Sequence, residues 1–203
     1  MNSQSPASEP SYRLSQLISV IRNRRTIRSY ADRPIPQELI LRLLLASKAS
    51  VSLDWNDSVA RLIYFNSQQG KRKAAGLIMD AYKNQKLYKW LPKKLNQAMA
   101  ERIARIPAFL AVIRKLGPSS QHNDRNYAAI SAMIQSFSLL AWENDIGIVW
   151  NTDPALREPS VAAGLGLQED ERIVCLLYMG MYDKAPKPKA RTAIAQKLTH
   201  LAP

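Results

Sequence analysis

Apolar positions recur along the chain in two rhythms, a three-to-four-residue spacing and short unbroken runs, which predict helices and buried strands in succession. Leu14, Leu17, Ile18 and Ile21 fall at helical spacing and predict an amphipathic helix running into the basic cluster Arg22 to Arg28. A second helix should start at Pro36, whose fixed φ suits a first turn, with Glu38 in that turn and Leu39, Leu43 and Ala46 facing inward. Arg61 to Phe65 reads as a strand. From Gln68 to Arg105 the chain is polar, helical in rhythm and interrupted at Pro92, the pattern of an excursion covering the surface.

Ala108 to Ile113 is a short apolar run between Pro107 and the turn Gly117-Pro118-Ser119-Ser120, the signature of a buried strand. Tyr127, Ile130, Ile134, Phe137 and Ala141 then predict a long apolar helix at the centre of the fold. Strands should follow at Ile146 to Trp150 and Arg172 to Tyr178, separated by a helix starting near Pro154. Residues 1–10 lack any period and read as a disordered terminus, residues 11–183 as one domain, and residues 184–203, with Pro186 and Pro188, as an extended arm. At 203 residues and 46% hydrophobic content, nothing calls for a second domain.

Composition narrows the chemistry. No stretch approaches the roughly 18 apolar residues of a membrane-spanning helix, and Met1 to Pro10 is polar rather than basic and then apolar, which reads as cytoplasmic. The two histidines, His122 and His200, have no Cys or acidic cluster at ligand spacing, so no metal site is expected. The lone Cys175 sits in an apolar run and reads as a buried strand thiol. No Ser occupies a G-x-S-x-G elbow, and the phosphate loops GxGxxG and GxxxxGK[ST] are absent. No catalytic side chain is therefore assigned, and any hard chemistry falls to a bound cofactor.

The formal charge of +13 invites a nucleic-acid reading, because phosphate neutralisation dominates such affinity. Much of the excess lies between Lys71 and Lys94, and a solvated helix face is its simplest explanation. A more compact cluster is Arg24-Arg25-Thr26-Ile27-Arg28, where guanidinium forks and a hydroxyl suit a phosphate monoester. The competing reading is a basic helix end satisfying its own carbonyls and dipole.

Arg24-Arg25-Thr26-Ile27-Arg28-Ser29-Tyr30, then Arg33-Pro34-Ile35-Pro36-Gln37-Glu38-Leu39 and Leu44-Leu45-Ala46-Ser47, resembles the opening of the FMN-dependent nitroreductase family, R-R-S-x-R-x-F followed by P-x-P-x-E-x-L and L-x-A-A. Asp145 to Thr152 resembles the strand after the family's buried helix. Leu165 to Val174, Tyr178 to Met181 and Pro186-Lys187-Pro188-Lys189-Ala190-Arg191 resemble its closing motifs. The likeness runs in order from about residue 15 to 193.

The resemblance implies an α+β nitroreductase-like fold, a mixed central β-sheet flanked by helices around the Tyr127 to Glu143 helix, and a homodimer with exchanged C-terminal arms. It implies FMN as cofactor and NAD(P)H as electron donor, with ping-pong hydride transfer to a nitroaromatic, quinone or similar small-molecule acceptor. Arg24, Arg25, Thr26 and Arg28, with Lys189 and Arg191, would hold the FMN phosphate and ribityl chain, and Trp150, Asn151 and Thr152 would pass the isoalloxazine edge. The family's A-P-S-x-x-N-x-Q-P-W loop corresponds to Ala49 to Ala60, where Ser52 and Asn56 fill the Ser and Asn places and Gln-Pro-Trp becomes Ser58-Val59-Ala60. That departure supports one rival, a flavin-binding protein without efficient turnover. The other, a basic nucleic-acid-binding protein, rests on charge alone.

Overall fold

The computed structural model describes residues 9–51, 59–83, 92–188, 190 and 194–199. Helix α1 (Glu9–Asn23) is followed by α2 (Gln37–Lys48), strand β1 (Ala60–Phe65), α3 (Gln68–Lys83), α4 (Lys93–Ala104), β2 (Ala108–Lys115) and α5 (Ser120–Trp142). Strand β3 (Ile146–Asn151), a 3₁₀ turn (Pro154–Arg157), α6 (Pro159–Leu165), β4 (Glu171–Met181) and a second 3₁₀ turn (Ile194–Lys197) complete the order. None of the described helices is long and apolar enough to cross a membrane.

The strands lie in the order β1-β2-β4-β3, and each pairs antiparallel with its neighbour. The four-stranded sheet is thus antiparallel rather than mixed as expected; one isolated parallel bridge, Thr26 to Ile148, lays the segment after α1 along β3. Strands β2 and β4 are central, so both their faces are covered. Leu110, Val112, Cys175, Leu177 and Met179 meet Ile130, Ile134 and Phe137 of α5 and Ile40 and Leu43 of α2. Phe109, Ala111 and Leu176 meet Ala74 and Ile78 of α3 on the other face. Burial from both sides is why these strands read as unbroken apolar runs rather than alternating ones. It also pushes the Cys175 thiol pKa up to about 12, so Cys175 behaves as a small apolar residue.

Three expectations change in detail. The inner face of α2 is Ile40, Leu43 and Ser47, whereas Ala46 is exposed. The Ser47 hydroxyl tolerates that burial because it donates to the Leu43 carbonyl at 2.6 Å. Tyr127, within α5, is exposed beneath the Arg114 guanidinium, 5.5 Å from its ring centre. The polar stretch from Gln68 is only half surface: α3 buries Ala74, Ala75, Ile78, Met79 and Ala81, while α4 has no fully buried residue and packs only the half-buried Ile103 against the core.

The Leu165 to Val174 motif has a structural reason. Gly166 ends α6 in the left-handed region at φ 63°, with its N–H on the Ala163 carbonyl and that of Leu167 on Ala162, a Schellman cap that favours glycine. Glu171 then accepts two hydrogen bonds from Arg61, at 2.8 and 2.6 Å, and a third from the Gln168 N–H at 2.9 Å. This clamps the turn to β1.

Candidate functional site

The segment after α1 is strapped to the sheet at several points. Thr26 bridges β3, Ile27 is buried beside Gly147, and the Tyr30 hydroxyl donates to the Tyr178 carbonyl at 3.1 Å. Further on, the Ala31 N–H donates to Met181, and Arg33 pairs with Asp183 at 2.7 Å. With Ile27 turned inward, its neighbours Thr26 and Arg28 face the other way, as the period of an extended segment requires.

That arrangement opens a cleft of about 650 Å³ lined by Arg22, Asn23, Arg24, Arg25, Thr26 and Arg28 from the front of the chain and Pro186, Lys187 and Pro188 from its far end. Five of these side chains are cationic and none is acidic. Among the described residues neither Arg22 nor Arg28 enters a salt bridge. Like charges so gathered repel one another, and only an anion between them reverses the sign. Arg25 is partly committed: its guanidinium donates to the carbonyls of Arg22 and Arg24, satisfying the end of α1. The helix-end reading of the cluster is thus realised on Arg25.

The structure therefore brings Arg24, Arg25, Thr26 and Arg28 together. Lys189 and Arg191 lie outside the described residues, although Lys187 and Pro188 carry the chain to them from the cleft wall. Ser52 and Asn56 also lie outside the described residues. Trp150, Asn151 and Thr152 do not line the cleft. Trp150 and Asn151 end strand β3 and Thr152 follows it, two to four positions past the Thr26–Ile148 bridge.

Trp150 is part-exposed and donates its indole N–H to the Ser138 hydroxyl of α5 at 2.9 Å. On the opposite face Asn151 donates to the Tyr178 hydroxyl at 2.6 Å and accepts from the Asp153 N–H at 3.0 Å. Asp153 in turn caps the 3₁₀ turn at Ala155 and accepts from the Tyr82 hydroxyl at 3.3 Å. Burial pushes the Tyr178 phenol up to about 12, partly offset by the Asn151 donor, and burial likewise raises Tyr30. Both therefore stay neutral, Tyr178 as an acceptor and Tyr30 as a donor.

Sequence reasoning passed over Arg22 and Lys187 as site residues, and Ser138, Tyr178 and Asp153 as supports. The first two were readable as continuations of their basic clusters. The supports had no local signal, because their partners come from other elements.

Residues 21–181 match the Nitroreductase family. The chain belongs to that family. It is 32% identical over 200 residues to a protein of Bacillus subtilis (strain 168) provisionally named NAD(P)H nitroreductase YfhC, covering 97% of this chain and 100% of that protein. The fold matches the crystal structure of a nitroreductase-like family protein from Bacillus cereus with a TM-score of 0.80 at 26% identity, over 98% of this chain and 99% of the other. A provisionally assigned nitroreductase from Desulfovibrio desulfuricans, solved in complex with FMN, matches in fold alone, with a TM-score of 0.67 at 15% identity over 98% and 99% of the two chains.

Proposed function

We propose that the chain is an FMN-dependent NAD(P)H oxidoreductase whose FMN phosphate occupies the cleft between Arg22–Arg28 and Pro186–Pro188. The observation that carries this reading is the cleft's composition, five cations with no carboxylate, built from the two ends of the chain. Guanidinium groups bind phosphate oxygens bidentately, and the Thr26 hydroxyl adds a neutral donor. The residues thus suit a phosphate-bearing cofactor, and family membership together with the NAD(P)H nitroreductase name of the Bacillus subtilis relative points to FMN and NAD(P)H.

When bound, FMN supplies the redox chemistry, taking a hydride from NAD(P)H and passing it to a nitroaromatic, quinone or similar acceptor. The chain's own residues bind and orient. Arg24, Arg28, Lys189 and Arg191 neutralise the phosphate, while Arg25 holds the helix end in place and adds charge. Trp150, Asn151 and Thr152 line the path of the ring, fixed from one side by Ser138 and from the other by Tyr178 and Asp153. Ser52 and Asn56 complete the flavin contacts. No side chain acts as a nucleophile.

The active form is a cytoplasmic homodimer with C-terminal arms lying on the partner. Its support is the apolar stripe of α1, where Leu14, Leu17, Ile18 and Ile21 are 58%, 55%, 40% and 43% exposed in the single subunit. Four neighbouring large apolar side chains left in water favour a partner surface.

An absorption spectrum of purified protein reconstituted with FMN tests the cofactor, and anaerobic addition of NADPH and then menadione tests both half-reactions. Flavin bands that bleach with the donor and return with the quinone support the reading, as do parallel lines in steady-state plots. A protein that emerges colourless from gel filtration after reconstitution refutes it.

A further inference from the structure

Strand β3 ends at Asn151, so the hydrogen-bond ladder of the sheet stops before Thr152, which is exposed, and Asp153. Side chains take over from there. The Asp153 N–H donates to the Asn151 side-chain oxygen at 3.0 Å, and the Ala155 N–H donates to Asp153 Oδ1 at 2.9 Å. The other carboxylate oxygen, Oδ2, accepts from the Tyr82 hydroxyl at 3.3 Å, a partner 71 positions away in the chain.

Tyr82 comes from the last turn of α3, and packing holds it there. Its neighbour Ala81 is wholly buried in a cluster with Ala155 and Val161, against which the Tyr82 ring also packs. A methyl group on Gly164 would lie 2.1 Å from Leu77 Cδ2, so α3 and α6 meet without room to spare. Packing accounts for the position of the ring, but not for a hydroxyl directed at a carboxylate.

The charge of that carboxylate is felt by its surroundings. Burial pushes the Tyr178 phenol up, the Asn151 donor opposes this, and the Asp153 carboxylate adds to it. Tyr178 is the residue that accepts from Asn151 at 2.6 Å, so the charge acts along the segment's own support. A hydroxyl donating to a carboxylate disperses its charge, and a part-buried charge acts more strongly on its neighbours than one in water. Flavin gains negative charge on reduction, so a carboxylate at the ring's edge opposes that gain and a donor that tempers the carboxylate assists it.

We infer that Tyr82 is a positioning residue for the flavin site: through Asp153 it fixes the segment from Asn151 to Asp153 and moderates the negative charge at the ring's edge. The second role rests on the oxidoreductase reading; the first does not.

The test compares wild type with Tyr82→Phe, which keeps the packed ring and loses only the hydroxyl, and with Asp153→Asn, whose amide oxygen still accepts from Ala155. In FMN-free protein, hydrogen exchange at the Asp153 and Ala155 amides should quicken several-fold in Tyr82→Phe, while the amides of β2 keep their rates. In protein loaded with FMN, the midpoint potential should fall in Tyr82→Phe and rise in Asp153→Asn. Tyr82→Phe should add little in the Asp153→Asn background, because it acts through that charge. A residue that merely stabilises the fold would move the potential the same way in both variants or in neither. Unchanged exchange in Tyr82→Phe overturns the inference whether or not FMN binds. So do potentials that stay in place, that move in one direction, or that respond to Tyr82→Phe as strongly without the carboxylate. Wild-type protein that cannot retain FMN refutes the oxidoreductase reading instead, and the exchange result then decides alone whether Tyr82 fixes the segment.

Discussion

Gly147 and Ile27 touch so closely that a methyl group on Gly147 would lie 2.3 Å from Ile27 Cβ and 2.5 Å from its Cγ1. Neither can yield easily, since Ile27 is β-branched and buried and Gly147 is within a paired strand. The absence of a side chain at Gly147 is what lets the Arg24–Arg28 segment lie against the sheet. Gly147→Ala should destabilise the protein by about 1–3 kcal/mol through overpacking and displace the arginines together. Thermal unfolding and FMN retention should fall in parallel, and Ile27→Ala in the same chain should restore part of both.

Arg24→Ala or Arg28→Ala should lower FMN affinity by roughly ten- to a hundredfold, the worth of one charge-assisted phosphate contact. Lys189→Ala with Arg191→Ala should do the same from the far wall. Arg25→Ala should differ, costing about 1 kcal/mol of stability because it uncovers carbonyls at the end of α1. Fluorescence titration of FMN beside thermal melts separates the two outcomes; equal retention of flavin in all variants would refute the phosphate assignment.

Tyr178→Phe removes the acceptor that Asn151 uses at 2.6 Å and leaves a part-buried amide unsatisfied. The expected cost is about 1–2 kcal/mol. If that bond also fixes the segment beside the ring, the flavin midpoint potential should move, which a purely structural loss would leave in place. Potentiometric titration of wild-type and variant protein makes the comparison.

The Arg61 guanidinium beside Glu171 holds its carboxyl below the usual carboxylate range, with burial opposing and the Gln168 N–H assisting. A folded-state pKa lower than the unfolded one gives stability that is present above the unfolded value, near 4.3, and lost as pH falls through the folded one. Wild-type stability should therefore decline below about pH 4.5, and Glu171→Gln should flatten that decline. At pH 7 the variant should be about 1–2 kcal/mol less stable, less than for a wholly buried pair because the Arg61 side chain is 41% exposed. Urea unfolding at a series of pH values checks both parts.

Truncation after Tyr182 should yield monomer or aggregate that no longer holds FMN. It deletes Pro186, Lys187 and Pro188 from the cleft wall along with the arm proposed to cover the partner. Light scattering of a flavin-loaded, well-folded dimer would show the arm to be dispensable.

Much of this fold is legible in the chain's own pattern of residues. Strands β2 and β4 stood out because a sheet buried on two faces leaves no polar alternation to blur them. The inner face of α2 slipped by one position because Ser47 conceals its polarity in a bond to Leu43, a local device that composition does not reveal. Tyr127 looked like core because an aromatic at the right spacing is ordinarily buried; here it stays exposed, with the Arg114 guanidinium over one face of its ring. Both halves of the cationic cleft were visible as clusters, but their convergence came only from the family pattern, since nothing local links Arg28 to Lys187. Trp150 shows the opposite limit: its indole partner, Ser138, is set by how α5 packs on β3.

The front wall of the cleft lies near the beginning of the chain and its rear wall near the end, with the whole sheet between them in sequence. During synthesis, then, the arginines leave the ribosome long before β3 can receive them or Lys187 can face them. On the assignment proposed above, flavin capture waits for the rear wall: the nascent chain cannot close around the FMN phosphate until Pro186, Lys187 and Pro188 have emerged. Cells short of flavin should consequently accumulate a full-length chain whose two ends are unlatched, and limited proteolysis should cut it first at those ends.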